Sequence, residues 1–71
     1  MSNLRKRSLL LAGHATSIAL EPEFWAVLEA RAAAEGRSLA AMITEIDRTR
    51  AERPLASACR VAALVHAQEK S

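Results

Sequence analysis

Apolar and polar residues change period near residue 20 of this 71-residue chain. Thr16-Ser17-Ile18-Ala19-Leu20 alternates: Thr16, Ile18 and Leu20 point to one face, and Ala15, Ser17 and Ala19 to the other. The first set is the larger and more apolar, so the strand is expected to lay that face on a core. After Leu20 the period lengthens to that of a helix. Glu21-Pro22-Glu23 suits a helix start, with proline in the first turn and carboxylates at the positive end of the dipole. Phe24, Leu28 and Ala32 form the predicted inner stripe, flanked by Trp25 and Val27, and Gly36 is placed to stop the helix. Ser38 is a good N-cap for a second helix whose stripe is Leu39, Met42, Ile43 and Ile46. Pro54 ends that pattern. A third helix is expected from Leu55 to about Glu69, with Ala58, Val61, Ala62, Leu64 and Val65 on a broad face made largely of alanine.

Ahead of the strand, Ser8 to Ala12 has extended character and could turn at Gly13. Leu9-Leu10-Leu11 is a run rather than an alternation, however, so no partner strand is evident in the same chain. Backbone donors and acceptors of a strand must pair somewhere. The simplest partner is the same strand of a second copy. Size points the same way. A chain this short buries only ~60% of its unfolded surface, and small domains usually add disulfides, metal or a second subunit. Cys59 is the single cysteine, and His14 and His66 are far apart with no ligand spacing, which leaves oligomerisation. The apolar share of 51% is too high for a disordered chain, yet much of it is alanine and only Phe24 and Trp25 are aromatic. A thin helical core favours sharing.

Net charge is +2, and its distribution matters more than its size. Arg5, Lys6 and Arg7 form a run, and no acidic residue precedes Glu21. A basic arm ahead of a folded unit suits a polyanion such as DNA. The arm is not read as a signal peptide, because the apolar run after it is short and broken by Gly13, His14 and Thr16. No apolar run approaches the ~20 residues of a membrane span.

Strand, LEPEF, helix, GRSLAAMI: in this order the segment from Thr16 to about Asp47 resembles a ribbon-helix-helix transcription factor of the Arc/MetJ type. The anchors are Leu20, Phe24 and Leu28, the Gly36-Arg37-Ser38 turn, and Leu39, Ile43 and Ile46. The chain also looks like a bacterial subgroup in which a basic arm of the type RKRSL precedes GHxTSxxLEPEFW and a further helix follows. The resemblance implies a mainly α fold with one short strand, an intertwined homodimer and a two-stranded antiparallel ribbon formed between the two chains. It implies an arm over 1–13, a ribbon-helix-helix domain over 14–50 and an additional helix over 54–69. The dimer core would then comprise Thr16, Ile18, Leu20, Phe24, Leu28, Leu39, Ile43 and Ile46.

The resemblance further implies a cytoplasmic, nucleoid-associated repressor acting on double-stranded DNA. Base-facing positions would be Ala15, Ser17 and Ala19, with phosphates met by Arg5, Lys6, Arg7, Arg37, Ser38 and Leu39. Two alanines and a serine are poor readers, since strong discrimination needs long polar side chains with bidentate reach. The alternative is an antitoxin-like or protein-interaction dimer whose partner contacts the C-terminal helix. No cofactor or metal is expected, and no enzyme. There is no phosphate-cradling glycine loop and no nucleophile–base–orienter set, and Glu21 and Glu23 read as helix-start charges. Cys59 is expected to be a small buried hydrophobe, His14 a turn residue, and His66 a surface residue near a helix end.

Overall fold

A computed structural model describes residues 3–69. Two antiparallel strands, β1 (Arg5–Leu11) and β2 (His14–Leu20), form a hairpin ribbon. Three helices follow: α1 (Pro22–Ala34), α2 (Leu39–Thr49) and α3 (Leu55–Glu69). The strand that lacked an evident partner therefore finds one inside its own chain. Met1 and Ser2 of the expected arm, and Lys70 and Ser71 at the other end, lie outside the described residues.

The hairpin closes through Ala12-Gly13. Leu11 faces His14, and the register runs through Leu9–Thr16 and Arg7–Ile18 to Arg5–Leu20. Both turn residues have positive φ, 50° at Ala12 and 87° at Gly13. That is the two-residue turn whose twist matches flanking strands, and it is why glycine sits second. Ala12, with a Cβ, occupies the left-handed region at a cost of roughly 1–2 kcal/mol. The leucine run conceals an alternation. Leu9 and Leu11 turn inward, and Leu10 turns out and is 65% exposed.

Helix ends follow their local chemistry. At the end of α1 the Gly36 N–H donates to the Ala33 carbonyl and the Arg37 N–H to the Ala32 carbonyl, with Gly36 at φ 66°. This is a Schellman closure. The Ser38 hydroxyl caps α2 by accepting from the Ala41 N–H at 3.0 Å.

The core gathers Leu11, Ile18, Leu20, Trp25, Leu28, Ala32, Met42, Ile43, Cys59 and Ala63. Leu11 comes from β1, and Cys59 and Ala63 come from α3. α3 packs on α1, α2 and β2, while α2 lies against β1. The two added elements thus contribute to a core within one chain. Of the expected dimer-core residues, Ile18, Leu20, Leu28 and Ile43 are buried within the chain, and Thr16, Phe24, Leu39 and Ile46 are half-buried. Trp25, not Phe24, is the buried ring of α1. The reason is β1: the Trp25 indole N–H donates to the Arg5 carbonyl at 2.8 Å, and the Arg7 guanidinium sits 4.9 Å from the ring centre. Phe24 lies under Arg60 instead.

Candidate nucleic-acid interface

Direct opposition in the register sorts the ribbon into two faces, because paired residues point to the same side. Arg5, Arg7, Leu9 and Leu11 share the inner face with His14, Thr16, Ile18 and Leu20. The outer face carries three rows: Lys6 with Ala19, Ser8 with Ser17, and Leu10 with Ala15. All six are exposed except Ala19, which is half-buried. The Ser8 and Ser17 hydroxyls are 3.3 Å apart. Ala15, Ser17 and Ala19 thus share one solvent-facing surface, and β1 doubles its area with residues that sequence reasoning did not place there. The hidden signal was the inward placement of Leu9 and Leu11, which puts Lys6, Ser8 and Leu10 on the opposite side.

The basic run is not a loose arm. Arg7 is fixed to α1 by an ion pair with Glu29 at 2.7 Å as well as by Trp25. Lys6 points outward. Arg5 and Lys6 have no acidic partner among the described residues. Most other arginines are held: Arg31 by Glu35 and Glu69, Arg50 by Asp47, and Arg60 by Glu21. The bonded Arg60 guanidinium keeps the Glu21 carboxyl below the usual range. Arg31 does the same to Glu35, and its own guanidinium is held more firmly protonated by that bond.

Arg37, Ser38 and Leu39 come together at the start of α2. The first-turn N–H groups of a helix have no intrahelical acceptor, and this end is positive. Ser38 satisfies Ala41 only. Arg37 folds over the same turn, bonding Glu45 at 3.0 Å and the Ala41 carbonyl at 3.1 Å, with Glu35 at 3.4 Å.

The ribbon-helix-helix domain model matches residues 4–67 of this chain. The chain belongs to the ribbon-helix-helix family. Among curated proteins and solved structures, none matches it. The ribbon of this family member is formed by β1 and β2 of one chain, and the match takes in β1 and nearly all of α3 with the central helices.

Two further residues are placed apart from the ribbon's outer face. Cys59 is fully buried in the second turn of α3, and burial pushes its thiol up to about 11, with Asp47 adding to the effect. It is a neutral packing group. His66 is half-buried, with Nδ1 3.5 Å from Glu69. No helix of the described residues is long and apolar enough to cross a membrane.

Proposed function

We propose that this chain is a DNA-binding transcription regulator, a cytoplasmic repressor that lays the outer face of its ribbon in the major groove as a homodimer. The observation that carries this reading is that outer face. It is exposed, built mostly of short side chains, and carries Lys6 at its open end, a cation without an acidic partner among the described residues, with exposed Arg5 next to it on the other face. Two neighbouring strands fit the ~12 Å major groove, and in the dimer these are β2 and its copy. Phosphates are met by Arg5 and by the start of α2, where Ser38, the Leu39 backbone N–H and the helix dipole suit an anion. Arg37 joins them by exchanging its glutamate partners for phosphate. Arg7, tied to Glu29 and Trp25, stiffens the ribbon more than it contacts DNA.

The dimer forms through β2. In a hairpin with a two-residue turn, Leu11 and His14 make a hydrogen-bonded pair, so the N–H and C=O groups of Ala15, Ser17 and Ala19 point away from β1. The β2 edge, His14–Leu20, has no charge at neutral histidine, no proline and no bulge, whereas β1 carries Arg5, Lys6 and Arg7. Charge protects a strand edge, and its absence leaves the edge open to a second copy. Two β2 strands centred on Ser17 would exchange about six backbone bonds, using all three free residues of each. Centring on Ile18 would leave Ala15 without a partner.

A second reading, a protein-interaction or antitoxin-like module, is favoured by one observation. Val61, Leu64 and Val65 form an exposed apolar stripe on α3.

Binding to random duplex DNA across a salt series tests the main reading. Affinity should fall linearly in log–log form, with a slope reflecting several phosphate contacts per dimer. Loss of all binding at low salt, with the protein folded, would leave the protein-interaction reading in its place.

A further inference from the structure

The loop that joins α2 to α3 borders a cavity of about 420 Å³ that none of the ribbon residues lines. Its apolar wall comes from both helices: Ile46 of α2, and Ala58, Val61 and Ala62 of α3. Arg50 and Arg53 of the loop form its basic rim. We propose that this cavity binds a small carboxylic acid with a short apolar body. The carboxylate sits on Arg53 and Arg50, and the body lies against Ile46, Val61 and Ala62. The assignment stands apart from the DNA-binding reading, which uses none of these residues.

Local chemistry holds the rim in place. The Arg50 Nε–H donates to Asp47 Oδ1 at 2.6 Å, and one of its Nη groups donates to the Arg53 carbonyl at 2.8 Å. The Arg53 N–H donates in return to the Arg50 carbonyl at 3.0 Å, and the chain between them turns through Ala51 at φ 56°. Arg50 is left with a second Nη group that has no protein acceptor. The Arg53 guanidinium has no acidic partner among the described residues, and Glu52, the other acid of the loop, pairs with neither arginine. Donors to spare therefore stand beside a wall that still shows apolar surface, with Val61 41% exposed. A planar guanidinium matches a carboxylate bidentately. Burial of a hydrocarbon body adds affinity that a bare inorganic anion cannot gain. The volume falls within the ~300–1,000 Å³ of small-molecule sites. The eleven residues of α2 separate its ends by roughly 15 Å, so a ligand here joins α3 to the end of α2 and leaves the Ser38 turn open.

The test is titration of the full chain with octanoate and with phenylacetate, followed by backbone amide NMR shifts. At least one acid should bind saturably, with shifts centred on residues 46–62. Octanol, which lacks the charge, and acetate, which lacks the body, should each bind at least about 10-fold more weakly. Arg53→Gln, at an exposed position, should weaken the acid roughly 10- to 150-fold, the loss of a hydrogen bond to a charged group. Val61→Glu, also exposed, sets a carboxylate in the wall and should abolish binding; circular dichroism checks that both variants are folded. Equal binding of octanoate by wild type and Arg53→Gln, or of octanol and octanoate by wild type, overturns the assignment. Shifts centred on Arg5 to Arg7 overturn it too, by placing the acid on the ribbon's cations. So does the absence of binding by either acid at millimolar concentration. A peptide with a free C-terminal leucine that binds there more tightly than both acids would give the cavity to a protein tail, and the small-molecule assignment would fall.

Discussion

The two faces of the ribbon are made from the same fourteen strand residues and do different work. The inner face places Leu11, Ile18 and Leu20 in the core and sets Arg7 over Trp25. The outer face contributes almost nothing to packing and ends in Lys6, the Ser8–Ser17 pair and Leu10. Strand periodicity allows this division, because alternate residues never share an environment. Core packing and the chemistry of the solvent-facing side can change independently here, one substitution at a time.

The sharpest way to break the comparison is to cut the inner face. Ile18→Ala or Leu20→Ala removes a fully enclosed side chain and should cost about 2–5 kcal/mol, enough to unfold much of a domain this small. Chemical denaturation read by Trp25 fluorescence measures it. Trp25→Phe keeps a ring but removes the indole donor to the Arg5 carbonyl, and should cost about 1 kcal/mol in denaturation followed by circular dichroism, since the variant has no tryptophan. Ala12→Asn should stabilise by about 1 kcal/mol, because asparagine followed by glycine suits a turn with two positive φ values. A fall in midpoint would show that the turn is not the one described. Ser17→Ala on the outer face should change stability by less than about 0.5 kcal/mol while changing sequence preference, which separates the two faces most cleanly.

The smallest expected effect is a pH dependence. Arg60 and Arg31 hold Glu21 and Glu35 below their ordinary range, so both contribute stability that is present above that range and lost as pH falls through their lowered values. Glu21→Gln should lower stability slightly at neutral pH, leave the acid end unchanged, and so flatten the acid limb of a stability–pH curve.

The helices were legible because each carries its own punctuation. Pro22 opens α1, Gly36 closes it, Ser38 caps α2, and Pro54 marks the break before α3. β2 was legible from alternation. β1 was not, because three consecutive leucines read as a run, and only the pairing register shows that the middle one faces outward. The prominence given to Phe24 over Trp25 has the same origin. The indole finds its acceptor on β1, so the burial of that ring could not be read without the strand. Half of the candidate surface was legible for the same reason. Ala15, Ser17 and Ala19 follow from β2 alone, whereas Ser8 and Leu10 join them only when the hairpin closes, and Lys6 acquires a direction as well as a charge.

Closure of the ribbon within one chain also bears on dilution. A ribbon assembled from two chains comes apart as the protein becomes scarce, and its groove-facing surface goes with it. Here Leu11 and His14 are joined by two residues, so hairpin closure is unimolecular. A few copies per cell would each retain a formed β1–β2 surface.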